Sequence, residues 1–230
     1  MSHQLALNIH LRDDAAFSSF YPGENEEALE GVMQFIKTSK ESFLYLWGQA
    51  GVGRSHLLQA ACHDANERGL SAAYFSLKKL DQNSLDLLEG LEEIFLVCID
   101  DIEGISGDLR WEEAVFHLFN RLRAKNTKLL VAANASPKEV AILLPDLKSR
   151  LSWGVTYQLH RLNDVHKLKA LQLRAKCRGL TLSDAVGQFL LSRCDRGTTE
   201  LFGVLEVLDK ASLAEQRRLT IPFVKQVLMF

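Results

Sequence analysis

The stretch F-L-Y-L-W-G-Q-A-G-V-G-R-S-H-L-L, residues 43–58, joins an apolar strand, a glycine-rich turn and the start of a helix. From Gly48 to Ser55 it fits the spacing G-x-x-x-x-G-[K]-[ST], with Arg54 in the lysine position. Glycines let the backbone wrap closely around an anion, and backbone N–H groups and the positive end of the helix dipole then face it. A glycine-rich turn without a ligand is the alternative, but the order strand, loop and helix favours a phosphate-binding loop.

Arg54 changes what this loop is expected to do. Lysine is a compact point charge that reaches the outer phosphates, whereas arginine is longer, planar and always charged. We expect phosphate binding to survive the replacement and the geometry that stabilises a transferring phosphoryl group to be lost. The sequence therefore predicts nucleotide binding with weak or absent hydrolysis. The predicted nucleotide-contacting residues of the loop are Gly48, Ala50, Gly51, Val52, Gly53, Arg54, Ser55 and His56.

A second apolar run, F-L-V-C-I-D-D at residues 95–101, ends in two aspartates. An apolar strand that ends in Asp100 is the usual partner of a phosphate loop, although by itself such a run is more often a plain strand end. Ser55 and Asp100 are predicted to hold a magnesium ion, the carboxylate directly or through water. Asp101 is predicted to polarise a water molecule.

The rest of the chain divides into an α/β part and a helical part. Apolar strands alternate with helical patterns as far as Leu159, which predicts a parallel sheet with helices on both faces. We predict an N-terminal segment over residues 1–12, an α/β domain over 13–160 and an all-helical lid over 161–230. The predicted strands are Phe43–Trp47, Ala72–Leu77, Phe95–Ile99, Leu129–Ala133 and Val155–Leu159. The predicted caps of the lid helices are Asn163 or Asp164, Ser183, Thr198 or Thr199, and Thr220.

The composition argues against several classes of protein. The 230 residues carry a net charge of −2, so no global positive charge draws the chain onto DNA or an anionic membrane. No apolar run approaches the roughly 18 residues that cross a bilayer, and the N-terminus lacks the pattern of a secretion signal. The cysteines form no C-x-x-C pair, which argues against a metal site or a disulfide framework. We expect a cytoplasmic protein.

Together these motifs resemble the AAA+ family and, within it, the bacterial replication-initiator branch. The resemblance extends over nearly the whole chain, and two further motifs carry it: F-S-S-F-Y-P-G at residues 17–23 and L-L-P-D-L-K-S-R-L-S-W-G at residues 143–154. Three features favour a DnaA-related regulator over an initiator. The loop has G-R-S instead of G-K-T, Q-L-A-L-N-I stands at residues 4–9, and the sequence ends at Phe230 without a helix-turn-helix domain.

The resemblance implies a fold and further site residues. The fold is an AAA+ phosphate-loop domain with a five-stranded parallel sheet, followed by a small all-helical lid. Tyr21, Pro22 and Gly23 are expected to pack against the base. Asn134 is expected at the sensor position beside the terminal phosphate. Arg150 is expected to act as an arginine finger in trans, although alone it would be interpreted as a surface arginine at a helix end.

The cofactors that the resemblance implies are ADP, or ATP, and Mg²⁺. One position departs from the family pattern. The second sensor arginine is expected where this chain has Thr199, which carries no charge, and Arg196 is a candidate replacement. Both this departure and Arg54 indicate binding without efficient self-hydrolysis.

The segment at residues 4–9 resembles a sliding-clamp-binding peptide. Gln4 is expected to hydrogen-bond at a pocket rim, and Leu5, Leu7 and Ile9 are expected to fill a groove. A first strand or an unstructured tail is the alternative. The basic stretch at residues 161–178 is interpreted as the solvated face of a lid helix, with direct DNA contact as the alternative.

The implied function is that of an ADP-bound regulator. With the DNA-loaded sliding clamp it would stimulate ATP hydrolysis by the initiator DnaA and so prevent re-initiation of chromosome replication. The expected partners are DnaA and the DNA polymerase sliding clamp, and the protein would reach DNA and the nucleoid mainly through the clamp. No contact with a membrane is expected. Whether the chain forms a homo-oligomer is left open. The alternatives are an active AAA+ ATPase of the helicase-loader type and a sequence-specific DNA-binding initiator.

Overall fold

The computed structural model describes residues 15–38, 40–80, 84–195 and 197–230. Strands alternate with helices over the first part of the chain, and helices alone follow. The strands are β1 (Phe43–Gly48), β2 (Ala72–Ser76), β3 (Leu96–Asp100), β4 (Lys128–Ala133) and β5 (Val155–Leu159). The helices are α1 (Glu26–Lys37), α2 (Arg54–Glu67), α3 (Leu109–Ala124), α4 (Pro145–Leu151), α5 (Asp164–Cys177), α6 (Asp184–Arg193), α7 (Thr198–Glu215) and α8 (Ile221–Leu228).

In the described chain, five strands form one parallel sheet in the order β2-β3-β4-β1-β5. β1 lies between β4 and β5, with Tyr45 opposite both Val131 and Thr156. The predicted parallel sheet is confirmed, and each predicted strand end lies within one residue of the observed end. Because the carboxyl ends of parallel strands meet at one edge of a sheet, the loop after β1 and the aspartates that end β3 lie at the same edge.

Alternate side chains of the central strands enter apolar layers on opposite faces of the sheet. Tyr45 and Val97 pack on one face with Leu118 of α3. Leu46 and Cys98 pack on the other face with the buried sides of α1 and α2. Burial on both faces explains why these strands have continuous apolar runs in place of an alternating pattern.

The helices α5 to α8 form a separate layer that follows the sheet in the chain. They surround an apolar core that includes Leu171 of α5, Leu190 of α6, Leu205 of α7 and Phe223 of α8. None of the helices in the described part of the chain combines the length and the hydropathy that crossing a membrane requires.

Most of the predicted caps of these helices are confirmed. In each confirmed case a side-chain oxygen accepts a hydrogen bond from a backbone N–H of the first turn, which satisfies a donor that has no partner inside the helix. The confirmed caps are Asn163, Ser183 and Thr220. The cap predicted at Thr198 or Thr199 is wrong, because Gly197 takes the cap position and Thr198 is already helical.

Candidate nucleotide-binding site

The loop between β1 and α2 needs glycine at two positions. Gly51 and Gly53 have φ angles of 79° and 102°, in the left-handed region that other residues rarely adopt. A Cβ on Gly53 would also lie 2.6 Å from Cε2 of Phe20. Within the described residues no side chain caps α2, so the first N–H groups of this helix remain available to an anion.

A cavity of about 250 Å³ lies between this loop, the segment around Tyr21 and the lid. It brings the loop residues 51–56 together with Tyr21 and with Thr199, the position of the expected sensor arginine. The lid residues that line it are Leu162, Ala170, Arg174, Thr198, Thr199 and Phe202.

Other predicted contacts lie beside this cavity. Ala50 lines a neighbouring cleft of about 450 Å³, and Gly48 lines a third cavity of about 420 Å³ together with Asn134. Pro22 and Gly23 line none of these three cavities in the described structure. The structure therefore places Asn134, the predicted sensor, in a different cavity from Tyr21 and Thr199.

Asn25, which sequence reasoning missed, fixes the segment around Tyr21 to the junction between sheet and lid. Its buried amide donates hydrogen bonds to the carbonyl oxygens of Pro22 and His160, each at 3.0 Å, and its Oδ1 accepts one from the N–H of His160 at 2.7 Å. The ring of Tyr21 lies 5.7 Å from the ring of His166 on α5. The segment predicted to contact the base is therefore in contact with the first lid helix.

The predicted magnesium ligands, Ser55 and Asp100, meet at the edge of the sheet. Asp100 is 1% exposed; it accepts hydrogen bonds from the hydroxyl of Tyr74 and the N–H of Asp101, each at 2.9 Å, and interacts with the Ser55 hydroxyl. Burial raises the pKa of Asp100, and the hydroxyl hydrogen bonds oppose this shift. In the described residues no group of three or more His, Cys, Asp or Glu side chains forms a metal site. A hydroxyl and a carboxylate oxygen are ligands that magnesium takes together with phosphate oxygens, so the chemistry of this pair fits a magnesium ion bound with a nucleotide.

Asp101 is already bound by the protein. Its Oδ2 accepts a hydrogen bond from Oγ of Ser76 at 2.8 Å, and its Oδ1 accepts one from Nζ of Lys78 at 3.0 Å. Lys78 also donates to Glu103 at 2.7 Å. Burial lowers the pKa of Lys78, but the hydrogen bonds to both carboxylates outweigh it and the pKa is raised overall. Both oxygens of the carboxylate predicted to polarise water are thus engaged in this conformation.

Arg54 extends toward the same two carboxylates. It is 8% exposed, with Nη2 at 3.8 Å from Oδ1 of Asp101 and Nη1 at 3.9 Å from Oε1 of Glu103. Nη1 is buried and has no hydrogen-bond partner among the described residues. Nη1 lies at ion-pair distance from Glu103 but makes no hydrogen bond there, and a phosphate oxygen would supply the acceptor that this buried donor lacks. The residues present therefore fit a phosphate group beside Arg54.

Asn134 is held through its backbone. Its N–H donates to Oε2 of Glu103 at 3.2 Å, while its side chain is exposed. The next carbonyl, that of Ala135, accepts a hydrogen bond from the buried hydroxyl of Tyr45 at 3.1 Å. Glu103 thus connects Asn134 with Lys78 and Arg54, although no sequence motif singled it out.

Arg174 corrects the interpretation of the basic stretch as a solvated face. Lys169 and Lys176 are exposed, but Arg174 is 3% exposed, lines the cavity between the loop and the lid, and lies 4.5 Å above the ring of Phe202. The signal available in the sequence was its position on the stripe of α5 that also carries Ala170. A lid arginine is therefore present in the cavity, on a different helix from Thr199.

Arg150 lies away from these cavities. It is in the last turn of α4, and its guanidinium carbon is 3.9 Å from the ring centroid of the exposed Trp153. The predicted clamp-binding residues Gln4, Leu5, Leu7 and Ile9, and the candidate Arg196, lie outside the described residues.

Comparisons with known proteins agree with this arrangement. The family model for the bacterial DnaA ATPase domain matches residues 11–158, and the model for the lid domain of Hda matches residues 164–228. Domain III of the replication initiation protein DnaA from Thermotoga maritima is similar over 96% of this chain and 98% of that chain, with a TM-score of 0.80 and 19% identity. AMPPCP-bound DnaA from Aquifex aeolicus is similar over 89% of this chain and 67% of that chain, with a TM-score of 0.74 and 25% identity.

The fold is shared more widely. The RuvB Holliday junction branch migration motor of Thermotoga maritima is similar over 93% of this chain and 72% of that chain, with a TM-score of 0.63 and 14% identity. The DnaA model, in contrast, matches well over half of the 230 residues by sequence. The chain therefore belongs to the family of bacterial DnaA ATPase domains, as a DnaA-related AAA+ protein with a lid of the Hda type.

Proposed function

We propose that this protein is a nucleotide-bound regulator that, with the DNA-loaded sliding clamp, stimulates ATP hydrolysis by DnaA and so prevents re-initiation of chromosome replication. The observation that carries the proposal is the position of Arg150. It lies at the surface end of α4, outside the cavity formed by the chain's own phosphate loop. An arginine in that position is suited to complete the site of a neighbouring subunit and to neutralise charge that develops there.

Nucleotide binding is supported by the site and by a relative. DnaA from Aquifex aeolicus binds AMPPCP, and at 25% identity it shares the fold over most of this chain. The left-handed glycines of the loop, the uncapped start of α2 and the buried Arg54 all suit a phosphate group. When bound, Mg²⁺ would neutralise phosphate charge, and Ser55 and Asp100 are the residues that would hold it.

ADP is the proposed resident nucleotide because the site is poorly arranged for turnover. Lys78 donates to Asp101, and Arg54 lies near the same carboxylate. A carboxylate whose two oxygens already accept hydrogen bonds from Ser76 and Lys78 is a poor group for polarising water, since those bonds compete with a water molecule for its oxygens. We therefore propose slow hydrolysis by the protein alone, in contrast to a helicase-loader-type ATPase.

DnaA and the sliding clamp are the proposed partners. The DnaA-type fold supports association with DnaA, because AAA+ subunits of one kind complete each other's sites. The clamp contact is proposed from the motif at residues 4–9 alone, and DNA would be contacted mainly through the clamp.

The deciding experiment mixes the purified protein, the clamp on DNA and ATP-loaded DnaA, and follows the conversion of DnaA-bound ATP to ADP. The full mixture is expected to convert ATP faster than any mixture that lacks one component. Arg150→Ala is expected to retain nucleotide and clamp binding and to lose most of the stimulation, because an arginine finger contributes about 10³–10⁵ in rate in well-studied cases.

Lys148→Ala is the matched control, since it removes a charge from the same helix α4. It is expected to stimulate as the wild type does. Stimulation by Arg150→Ala at the wild-type rate would contradict the assignment of Arg150. Rapid phosphate release by the protein alone, abolished by Asp101→Asn, would favour an active ATPase instead.

A further inference from the structure

Two arginines contact one exposed indole on the surface that carries α4. The guanidinium carbon of Arg150 is 3.9 Å from the ring centroid of Trp153, and that of Arg123, in the last turn of α3, is 4.4 Å from the same centroid. Trp153 is 45% exposed. Arg150 also lies 5.8 Å from the ring of Phe116. We call Arg123, Trp153 and Arg150 the arginine–indole cluster.

The indole is fixed from below. Its ring meets the buried Phe119 edge to face at 6.5 Å, and Phe119 in turn meets Phe43 of β1 at 5.1 Å. The backbone N–H of Trp153 donates to the carbonyl oxygen of Arg150 at 3.1 Å. A Cβ on the next residue, Gly154, would collide with the backbone of Phe43, so the chain runs close to the sheet at this point. Trp153 is therefore packed on the side of the sheet, and its ring contacts the two arginines.

Stacking on an indole leaves the charge and the N–H donors of both arginines available to a ligand. Neither guanidinium group forms an ion pair or a side-chain hydrogen bond within the part of the chain that the structure describes. A carboxylate partner would have neutralised the charge and occupied the N–H groups. A cation–π contact uses the face of the guanidinium, and its in-plane donors can still bind an anion.

Both guanidinium carbons lie within 4.4 Å of one ring centroid, so their positive charges add at this surface and attract an anion. We propose that the arginine–indole cluster is an anion-binding site for the polyphosphate of a nucleotide held by a second AAA+ subunit, an inference that rests on the proposed trans action of Arg150. In it Arg123 is a second cation that contacts the polyphosphate, and Trp153 is the positioning residue of both arginines.

The first test measures stimulation of ATP hydrolysis on DnaA by full-length variants. Trp153→Leu and Arg123→Gln are each expected to lower the maximal rate about tenfold, and Trp153→Phe only about twofold to threefold, because a phenyl ring retains part of the cation–π attraction. The affinity for ADP and the midpoint of urea unfolding of Trp153→Phe and Arg123→Gln are expected to match the wild type. Lys148→Ala is again the matched control. Wild-type rates for Trp153→Leu or for Arg123→Gln would overturn the proposal.

The second test does not need DnaA. The protein is saturated with ADP so that its own site is occupied, inorganic tripolyphosphate is added, and the emission of Trp153 is followed against the Trp153→Phe variant. We expect a saturable change in emission. The tripolyphosphate concentration at half-saturation is expected to be at least about fivefold higher for Arg123→Gln and for Arg150→Ala than for Lys148→Ala. A flat titration, or equal curves for all variants, would overturn the anion site. If the wild type fails to stimulate DnaA while this titration saturates, the proposed function is wrong and the anion site remains.

Discussion

Asp100 shows, at the scale of one residue, why the proposed cation site would favour a bound cation. It lies at the end of a strand whose residues are all buried, and its carboxylate interacts with the hydroxyl groups of Tyr74 and Ser55. Burial is the largest influence on its pKa, which is raised. The charged form is therefore costly in the protein alone, and a bound divalent cation would remove that cost.

Asp100→Asn is expected to stabilise the protein alone at neutral pH while weakening magnesium-dependent nucleotide binding. The folded-state pKa is raised above the unfolded value, so the favourable contribution of the protonated acid is present at low pH and is lost as the pH rises through the folded-state pKa. The urea midpoint of the variant should thus exceed that of the wild type at neutral pH, and the difference should shrink on acidification. Urea titrations across this range measure it.

Asp108→Asn is the control for this experiment, because Asp108 caps α3 and asparagine caps helices equally well. It should show no comparable dependence on pH. A lower midpoint for Asp100→Asn than for the wild type at pH 7 would show that the hydrogen bonds from Tyr74 and Ser55 outweigh burial.

At the scale of elements, one buried carboxylate connects α3 to the segment that leads into α4. Glu112 is 0% exposed and accepts hydrogen bonds from the N–H groups of Gly107 at 2.9 Å, Leu143 at 2.9 Å and Leu144 at 2.6 Å. These donors precede α3 and α4, whose own first turns leave N–H groups without helical partners. The position of Arg150 therefore depends on a residue that belongs to none of the sequence motifs.

Glu112→Gln is expected to lower the free energy of unfolding by about 2–3 kcal/mol, because one amide oxygen cannot replace two carboxylate oxygens and buried N–H donors lose their acceptor. Stimulation of DnaA should fall as well, since α4 would be less firmly placed. Urea unfolding measures the first effect. Glu113→Gln, the same change at the exposed neighbouring position, is the control and should alter neither property.

The accuracy of the sequence predictions also differed from element to element. The strands were predicted to within one residue because runs buried on both faces have few other interpretations. The short helices were not: α4 has seven residues and begins with a proline, too little for a periodic pattern. Lys78 reaches Asp101 and Glu103 only because β2 and β3 are neighbours, and no local pattern encodes that contact. The stripe of α5 that carries Arg174 indicates a buried face, but it does not indicate that this face covers the phosphate loop.

At the scale of the whole molecule, the cavity joins the sheet domain to the lid. A ligand that contacts both is expected to stabilise their association, and by linkage the stabilisation grows with its affinity. Arg174 is the charged lid residue in the cavity wall, so it is the residue through which the lid is expected to respond to ADP.

Arg174→Ala is expected to weaken ADP binding about tenfold, which corresponds to about 1.4 kcal/mol less stabilisation by saturating ADP. The measurement is the increase in Tm that ADP causes in the variant, compared with the increase in the wild type. Because each increase is taken relative to the same protein without ADP, a general loss of stability does not affect the comparison. Lys176→Ala, an exposed position on the same helix, should retain the full shift. An undiminished shift for Arg174→Ala would mean that the lid binds ADP without this residue.

The position of β1 in the sheet has a consequence for biosynthesis. Its neighbours are Leu129–Ala133 and Val155–Leu159, so an emerging chain presents F-L-Y-L-W-G long before either neighbour has left the ribosome. Pairing between distant segments is slow, and an apolar strand without a partner is prone to aggregate. We therefore expect the phosphate loop to form only after the whole sheet domain has been translated, and chaperones to bind the nascent chain at β1 until then.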